Sequence, residues 1–401
     1  MSSPTVAHME ERVAEACAAR HVAGVVLMAA DRSGRFRYTK SFGSQSLADD
    51  GATIPMTEHS AMWLASCTKL ATSVAAMQCV EAGLIALDDD VRTTALLHEL
   101  ADIEILRPDG SLVPNTKPIT LRQLLSHTSG FAYEFNEPLI RDLRGRFLHP
   151  LVFEPGTSWA YSPSTHWVGV LVERLSGLQL DDYLTRHIWK PLGFKGPTFF
   201  LSQRPDLRDR LARMAERPEG GISAVVQDAA EQPALAPEAM DCLGGGGLFG
   251  SPADFFALVH AVLKAATSSG TGTDNNTPVL LRPETARAMF APQLGSEAAR
   301  AALRQVAAVP VLNRMMGDMP LETTKDWGLA GLITLDDIPG WRSAGTLTWG
   351  GLPNLTWFID PTAGLCGLYA TQLLPVGDEL SVKLTQMFER AMYAELKRQE
   401  Q

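Results

Sequence analysis

The sequence predicts an α/β fold: an antiparallel sheet built from the N- and C-terminal segments, flanked by terminal helices, with an inserted, mainly helical lobe. Three observations carry that prediction. Near the start, the strand-like runs Val25–Ala30 and Phe36–Ser41 flank Asp31-Arg32-Ser33-Gly34, a hairpin turn signal. The C-terminal third turns to strand again at Leu329–Leu335, Ser343–Thr348, Leu355–Ile359 and Leu365–Thr371. Helical patterns over Ala7–Arg20 and Asp378–Arg398 bracket both regions, and packing them on one sheet is the economical way to bury their apolar faces. The expected division is residues 1–95 and 235–401 for the sheet domain and 96–234 for the helical lobe.

The intervening elements follow in order. Apolar residues Ala61–Ala65 lead into a helix in which Leu70, Val74, Met77 and Val80 recur at helical spacing, and Gly83 supplies the stop. Asp88-Asp89-Asp90 opens a loop-and-helix stretch, and Arg107-Pro108-Asp109-Gly110 marks a turn. Ile119–Leu125 reads as a short helix ending at Ser126-His127-Thr128-Ser129-Gly130, with His127 a polar element at the helix terminus. Prolines and short helical patterns then dominate to about residue 240. Gly244–Gly250 lacks the Lys-Ser/Thr of a phosphate loop and reads as a connection between lobes, closed by the helix cap Ser251-Pro252-Ala253-Asp254. Ala266–Pro278, rich in Thr, Ser, Gly and Asn, reads as a mobile surface loop. Asp360–Gly364 makes a tight turn between the last two strands.

Composition bounds the function. The 401 residues are 45% hydrophobic and 20% charged, ample for a large core in two lobes, and the net charge of −10 argues against nucleic acid and anionic membrane surfaces as partners. No apolar run approaches the roughly 20 residues of a spanning helix. The first residues run into Glu10, Glu11 and Arg12 without an apolar core, so no signal peptide is expected. Five scattered cysteines, Cys17, Cys67, Cys79, Cys242 and Cys366, form no Cys-x-x-Cys, and no metal-ligand spacing occurs among the nine histidines. The expectation is a cytoplasmic protein without metal or cofactor.

Ser66-Cys67-Thr68-Lys69 is the single Ser-x-x-Lys of the chain, and it stands at the start of the Leu70–Val80 helix. Residues three apart share a helix face with Cβ atoms roughly 5–6 Å apart. A serine hydroxyl and a lysine amine therefore face each other, which suits a nucleophile with a built-in base. Such a base must lose roughly 3 units from its ordinary pKa of about 10.4, which burial and the helix dipole would favour. The unpaired N–H of Ser66 at the helix start can face an oxyanion. Taken alone, the four residues are better matched by a capped helix with a surface lysine, and it is the rest of the chain that reverses this. Glu154–Ser162 is a turn that delivers Tyr161 before a new helix at Ser162-Pro163, where a phenol can shuttle protons or simply pack. Trp349-Gly350-Gly351-Leu352-Pro353-Asn354 falls between two strands, either as a site of close backbone approach, with the Leu352 N–H as a second oxyanion donor, or as a bulge.

Taken in order, these motifs resemble the serine β-lactamase-like superfamily. The chain is similar to the class C-type esterases (family VIII carboxylesterases) and closer still to fungal acyltransferases of lovastatin biosynthesis. Leu64-Ala65-Ser66 with Lys69, Thr120–Gly130, Pro155-Gly156 before Tyr161, Cys242 with its glycine loop, and Gly350–Asn354 followed by Asp360-Pro361 carry the likeness. The resemblance implies a β-lactamase/transpeptidase-like fold with the active site between the lobes. It implies Ser66 as nucleophile, Lys69 and Tyr161 sharing acid–base work, and the N–H groups of Ser66 and Leu352 as the oxyanion hole. Tyr133, Trp349, Gly350 and Gly351 are expected to contact substrate. The implied partners are an ester or thioester donor, an acyl carrier protein domain included, and a small-molecule alcohol acceptor, with esterase activity as the alternative. Class C β-lactamases carry Lys-Thr-Gly where this chain has Trp349-Gly350-Gly351, and Asn where it has Pro163, so antibiotic hydrolysis is not expected.

Overall fold

The computed structural model describes residues 3–48, 54–92, 96–134, 148–221, 223–226, 241–269 and 279–399. Its strands are β1 (Gly24–Asp31), β2 (Arg37–Gly43), β3 (Met62–Trp63), β4 (Glu104–Leu106), β5 (Leu112–Pro114), β6 (Ala215–Glu216) and β7 (Val225–Val226). They continue with β8 (Phe249–Gly250), β9 (Lys325–Trp327), β10 (Leu332–Thr334), β11 (Leu347–Gly351), β12 (Leu355–Asp360), β13 (Leu365–Ala370) and β14 (Leu373–Leu374). The helices begin with α1 (Pro4–Ala18), α2 (Thr68–Glu81), α3 (Leu121–Leu125), α4 (Ser164–Ser176), α5 (Leu180–Leu184) and α6 (Pro205–Arg208). They end with α7 (Pro252–Thr267), α8 (Pro283–Ala288), α9 (Glu297–Ala307), α10 (Pro310–Met315) and α11 (Glu379–Gln399).

One antiparallel sheet in the order β2-β1-β13-β12-β11-β10-β9 joins the two ends of the chain, as the sequence predicts. β1 is buried on both faces. Val25, Leu27 and Ala29 pack with Val6, Met9 and Val13 of α1 and Phe388 and Met392 of α11. Val26, Met28 and Ala30 face the larger core that holds α2, α4 and α7. α11 is tied to the sheet by polar contacts as well. The fully buried Arg342 pairs with Glu389 at 2.7 Å, Trp341 Nε1 donates to the same carboxylate, and Tyr393 OH donates to Asp360 at 2.9 Å.

Three local differences from the sequence reading have physical causes. The strand expected at Ser343–Thr348 lies at Leu347–Gly351, because Ser343–Thr346 forms a turn in which Gly345 takes φ +88° and Ser343 N–H bonds Asp360. The run Leu329–Leu335 contributes only Leu332–Thr334, since Gly328 and Gly331 bond each other across a turn. β9 escapes the pattern because it has three residues, two of them charged. The segment between α2 and α7 also carries short strands, with β6 pairing in parallel to β14. Of the proposed mobile loop Ala266–Pro278, residues 270–278 lie outside the described residues, and its first two residues finish α7.

Candidate active site

Ala65 adopts φ +45°, a left-handed conformation that costs a non-glycine residue roughly 1–2 kcal/mol. A single helical turn, Ala65–Cys67, then sets Ser66 at the entrance to α2. α2 is buried on nearly every side, and Lys69 is only 2% exposed within it. The backbone beside the turn is clamped from a distance: Leu64 N–H bonds Leu248 O at 2.9 Å, and Leu248 N–H bonds Thr68 Oγ1 at 3.1 Å.

The glycine run that follows Leu243 wraps this turn. Thr72 Oγ1 donates to Gly244 O at 2.7 Å, Lys69 Nζ to Gly245 O at 2.6 Å and Trp63 Nε1 to Gly246 O at 2.8 Å. Three successive carbonyls are thus gripped by residues flanking Ser66. Side chains have little room there: a Cβ on Gly244 would lie 3.0 Å from Thr165 O, and one on Gly247 2.9 Å from the Phe199 ring. Sequence reasoning treated this loop as a connector, and four adjacent glycines were the available sign of close backbone approach.

Lys69 Nζ lies 3.2 Å from Ser66 Oγ and 3.4 Å from Tyr133 OH, so with Gly245 O it has three acceptors for the three N–H bonds of an ammonium. Burial is the largest single influence on Lys69 and works against its charge. The oxygens of Tyr133 and Tyr161 together outweigh it and hold the lysine pKa above its ordinary value. The shift is opposite in direction to the depression expected from the sequence. Burial pushes the Tyr133 hydroxyl upward despite the nearby Lys69 charge.

Tyr161 reaches the same point from another loop. Gly156, at φ +81°, donates its N–H to Thr128 O at 2.7 Å, and Ala160 N–H bonds His127 O at 3.1 Å, which pins the tyrosine loop to the end of α3. Tyr161 OH donates to Ser66 Oγ at 2.8 Å and accepts from Trp349 Nε1 at 3.0 Å. Behind it stand His127, with ring centroids 4.9 Å apart, and Trp327, at 6.1 Å. His127 is buried, bonds Ser162 Oγ at 2.9 Å and is held well below its ordinary pKa, chiefly by burial and then by the Lys69 charge. Its ring packs against that of the tyrosine.

Trp349, Gly350 and Gly351 are the last three residues of β11 rather than a turn, in register with Trp357, Thr356 and Leu355. The glycines permit close approach: a Cβ on Gly350 would meet Leu355 O at 2.2 Å, and one on Gly351 would meet Leu64 O at 2.6 Å. The second approach brings the end of β11 against the Ser66 turn. Leu352 follows, 41% exposed. Asn354, at φ +58°, fastens the β11–β12 turn by donating to Leu373 O and Pro375 O and accepting from Gly377 N–H.

Ser66, Tyr133, Tyr161, Trp349, Gly350, Gly351 and Leu352 all line one cavity of about 280 Å³. Every site residue expected from the sequence is brought to it or, for Lys69, bonded to its lining. Trp63, the glycine carbonyls and Arg314 are site elements that sequence reasoning missed. Cys67 is fully buried and its thiol is pushed up by burial, whereas Ser66 lines the cavity. Among the described residues, no group of His, Cys, Asp and Glu is arranged to hold a metal ion, and no helix is long and apolar enough to cross a membrane.

Comparison with known proteins fits this geometry. The chain is 35% identical over 410 residues to monacolin J acid methylbutanoyltransferase of Aspergillus terreus, covering 96% of this chain and 95% of that one. It is 37% identical over 392 residues to lovastatin esterase of Penicillium rubens, covering 92% and 94%. The unliganded structure of simvastatin synthase from Aspergillus terreus superposes with a TM-score of 0.89 at 35% identity, over 98% of this chain and 99% of that one. EstCE1, a hydrolase with promiscuous acyltransferase activity, shares the fold at 22% identity, with a TM-score of 0.73 over 97% and 98%. The beta-lactamase family pattern itself runs from residue 7 to residue 391, and with it the chain belongs to the beta-lactamase family.

Proposed function

We propose that this protein is an acyltransferase that moves a short acyl group from an ester or thioester donor to a small-molecule alcohol of polyketide type, through an acyl-Ser66 intermediate. The carrying observation is the convergence of Tyr161 OH, at 2.8 Å, and Lys69 Nζ, at 3.2 Å, on Ser66 Oγ at the cavity wall. The substrate class rests on relatives named for transfer of methylbutanoyl to monacolin J acid and to ML-236A carboxylate.

In this reading Ser66 Oγ attacks the donor carbonyl, and its proton passes to the Lys69–Tyr161 pair, which accepts it in the form that holds one proton fewer than an ammonium plus a phenol. The backbone N–H of Ser66, in a first turn that lacks intrahelical acceptors, and that of Leu352, just beyond β11, hold the oxyanion. Tyr161 returns the proton to the leaving alkoxide or thiolate. The acceptor alcohol then gives its own proton to Tyr161 and attacks acyl-Ser66, and Tyr161 reprotonates Ser66 as it leaves. Tyr133, Trp349, Gly350 and Gly351 contact the substrates. The donors include an acyl group on a carrier protein. The site lies in a cleft between a sheet domain, residues 1–95 and 235–401, and a helical lobe, residues 96–234. Five unpaired cysteines favour a cytoplasmic setting.

A second reading gives the same acyl-enzyme to water, and the 37% identity to an enzyme named lovastatin esterase favours it. Incubation with p-nitrophenyl butyrate, with and without candidate alcohols, separates the two. A butyryl adduct on Ser66 with the ester as product supports transfer, and butyrate alone supports hydrolysis. Absence of any adduct rejects both.

A further inference from the structure

Besides the residues around Ser66, the cavity lining includes Met315 of α10, Val376 of the Val376–Gly377 loop, and Val382 and Thr385 of α11. This part of the lining is largely apolar. Among the described lining residues, one side chain of the Asp, Glu, Lys or Arg type is present, and it is Arg314.

Arg314 is held rather than loose. Its Nε donates to Gly377 O at 2.8 Å, and its Nη1 lies 3.3 Å from Glu379 Oε1. Gly377 is itself fixed through Asn354 Oδ1. Glu379 is 67% exposed, so this pair is a solvent-screened contact of small energy. The neighbouring Asp378 is engaged elsewhere: its carboxylate takes Arg217 and caps the Ser381 N–H. A guanidinium has five N–H donors in a planar fork, so most of that fork remains for a ligand.

We propose that Arg314 forms an anion subsite of the acyl-transfer cavity, which binds an anionic oxygen group carried by a substrate while its reacting end lies at Ser66. The inference rests on the acyl-transfer reading above and deepens it by assigning charge to one substrate. The physical case is one of matching. A chain of net charge −10 gives an anionic substrate no long-range attraction, so an anion in an apolar cavity needs a local cation to offset its lost hydration. Beside Ser66 the Lys69 amine is committed to Ser66 Oγ, Tyr133 OH and Gly245 O, and the Trp349 N–H to Tyr161. Arg314, with its planar fork, suits a carboxylate or a phosphate. Two sources share this chemistry: a carboxylate on the acceptor alcohol, or the phosphate of a phosphopantetheine thioester donor.

The test uses the intact enzyme and matched probes. The acceptor arm follows butyryl transfer from p-nitrophenyl butyrate to ω-hydroxyalkanoates of six to twelve carbons and to their methyl esters. The donor arm compares butyryl-phosphopantetheine with butyryl-pantetheine. In one arm the charged probe is expected to show kcat/KM roughly 10–100-fold above its neutral partner, the usual worth of a charge-assisted hydrogen bond. That ratio should collapse toward one in Arg314→Gln and persist in part in Arg314→Lys. Because the ratio compares two probes on one protein, a general loss of activity does not mimic the effect. Ratios near one in both arms for the wild-type enzyme overturn the subsite, as does a preference that survives in Arg314→Gln. Failure of the acyl-transfer reading looks different, since no butyryl adduct would then form on wild-type Ser66 with any donor.

Discussion

On one side of the cavity, Trp63, Lys69 and Thr72 direct their polar atoms to three consecutive glycine carbonyls, and Ser66 stands among them with hydrogen bonds to Lys69 and Tyr161. On the other, Met315, Val376 and Val382 present apolar surface around the lone guanidinium of Arg314. The first wall fixes atoms through directional bonds to backbone, where a shift of an ångström breaks the chemistry. The second is shaped by side-chain volume and one charge, so its residues can vary the substrate without altering how Ser66 is activated. On the proposed function, reactivity and selectivity would therefore reside in different parts of the chain.

Substitutions on the first wall should be the more severe. Ser66→Ala removes the proposed nucleophile and should lower kcat by at least ~10⁴-fold, with the acyl adduct absent by intact-mass spectrometry. An adduct mapped to Cys67 would refute the assignment. Lys69→Ala and Tyr161→Phe should each cost about 10²–10⁴-fold in kcat. If they act as one unit, the double variant is hardly worse than either single. Multiplicative losses would instead assign them to separate steps.

Where the walls meet, Gly351→Ala should force its Cβ against Leu64 O, 2.6 Å away, with a stability loss of about 1–3 kcal/mol visible as a lowered Tm. An unchanged melt would mean that β11 and the Ser66 turn move independently. Trp349→Phe keeps an aromatic ring but removes the N–H that bonds Tyr161 OH, so kcat should fall about tenfold with a smaller change in KM. A change confined to KM would place Trp349 with the selective wall.

The smallest effect is on pH dependence. His127 is depressed in the folded protein by burial and by Lys69, so the unfolded chain takes up its proton first as pH falls. Its contribution to stability is full above its ordinary value of about 6.5 and is lost progressively as pH drops from there towards the folded value. His127→Gln should flatten that part of the stability–pH curve in denaturant titrations, and an unaltered slope would show that other groups set it.

The reactive wall was the legible one. Ser66 and Lys69 are three residues apart on one helix, so their meeting follows from helix geometry alone. Tyr161 could be placed on a turn by Pro155 and Gly156, but not at 2.8 Å from Ser66. The direction of the Lys69 pKa was missed for the same reason, because Tyr133 and Tyr161 arrive by tertiary packing and no local pattern announces them. The glycine loop was visible as composition and invisible as three hydrogen-bond acceptors. Arg314 was unreadable, since an arginine in the last turn of a short helix looks like any surface cation. Most of the sheet was legible because strands such as β1 and β13 are continuous apolar runs, whereas three-residue β9 escaped and β11 slipped by a few residues where Ser343–Thr346 is a turn.

The pairing of β1 with β13 has a consequence for how the molecule comes into being. Cys366 Sγ contacts Ala30 O across 336 residues of chain, and Thr371 bonds Gly24 O across 347. At a synthesis rate of 5–20 residues per second, the first hairpin waits about 15–70 s for its partner strand to leave the ribosome. The Ser66 turn waits as well, since the β11 backbone that abuts Leu64 is made nearly as late. Such long-range closure is intrinsically slow and leaves apolar strand edges exposed meanwhile. Yield in the cell should therefore depend on chaperone supply and growth temperature more strongly than the finished enzyme's stability would suggest.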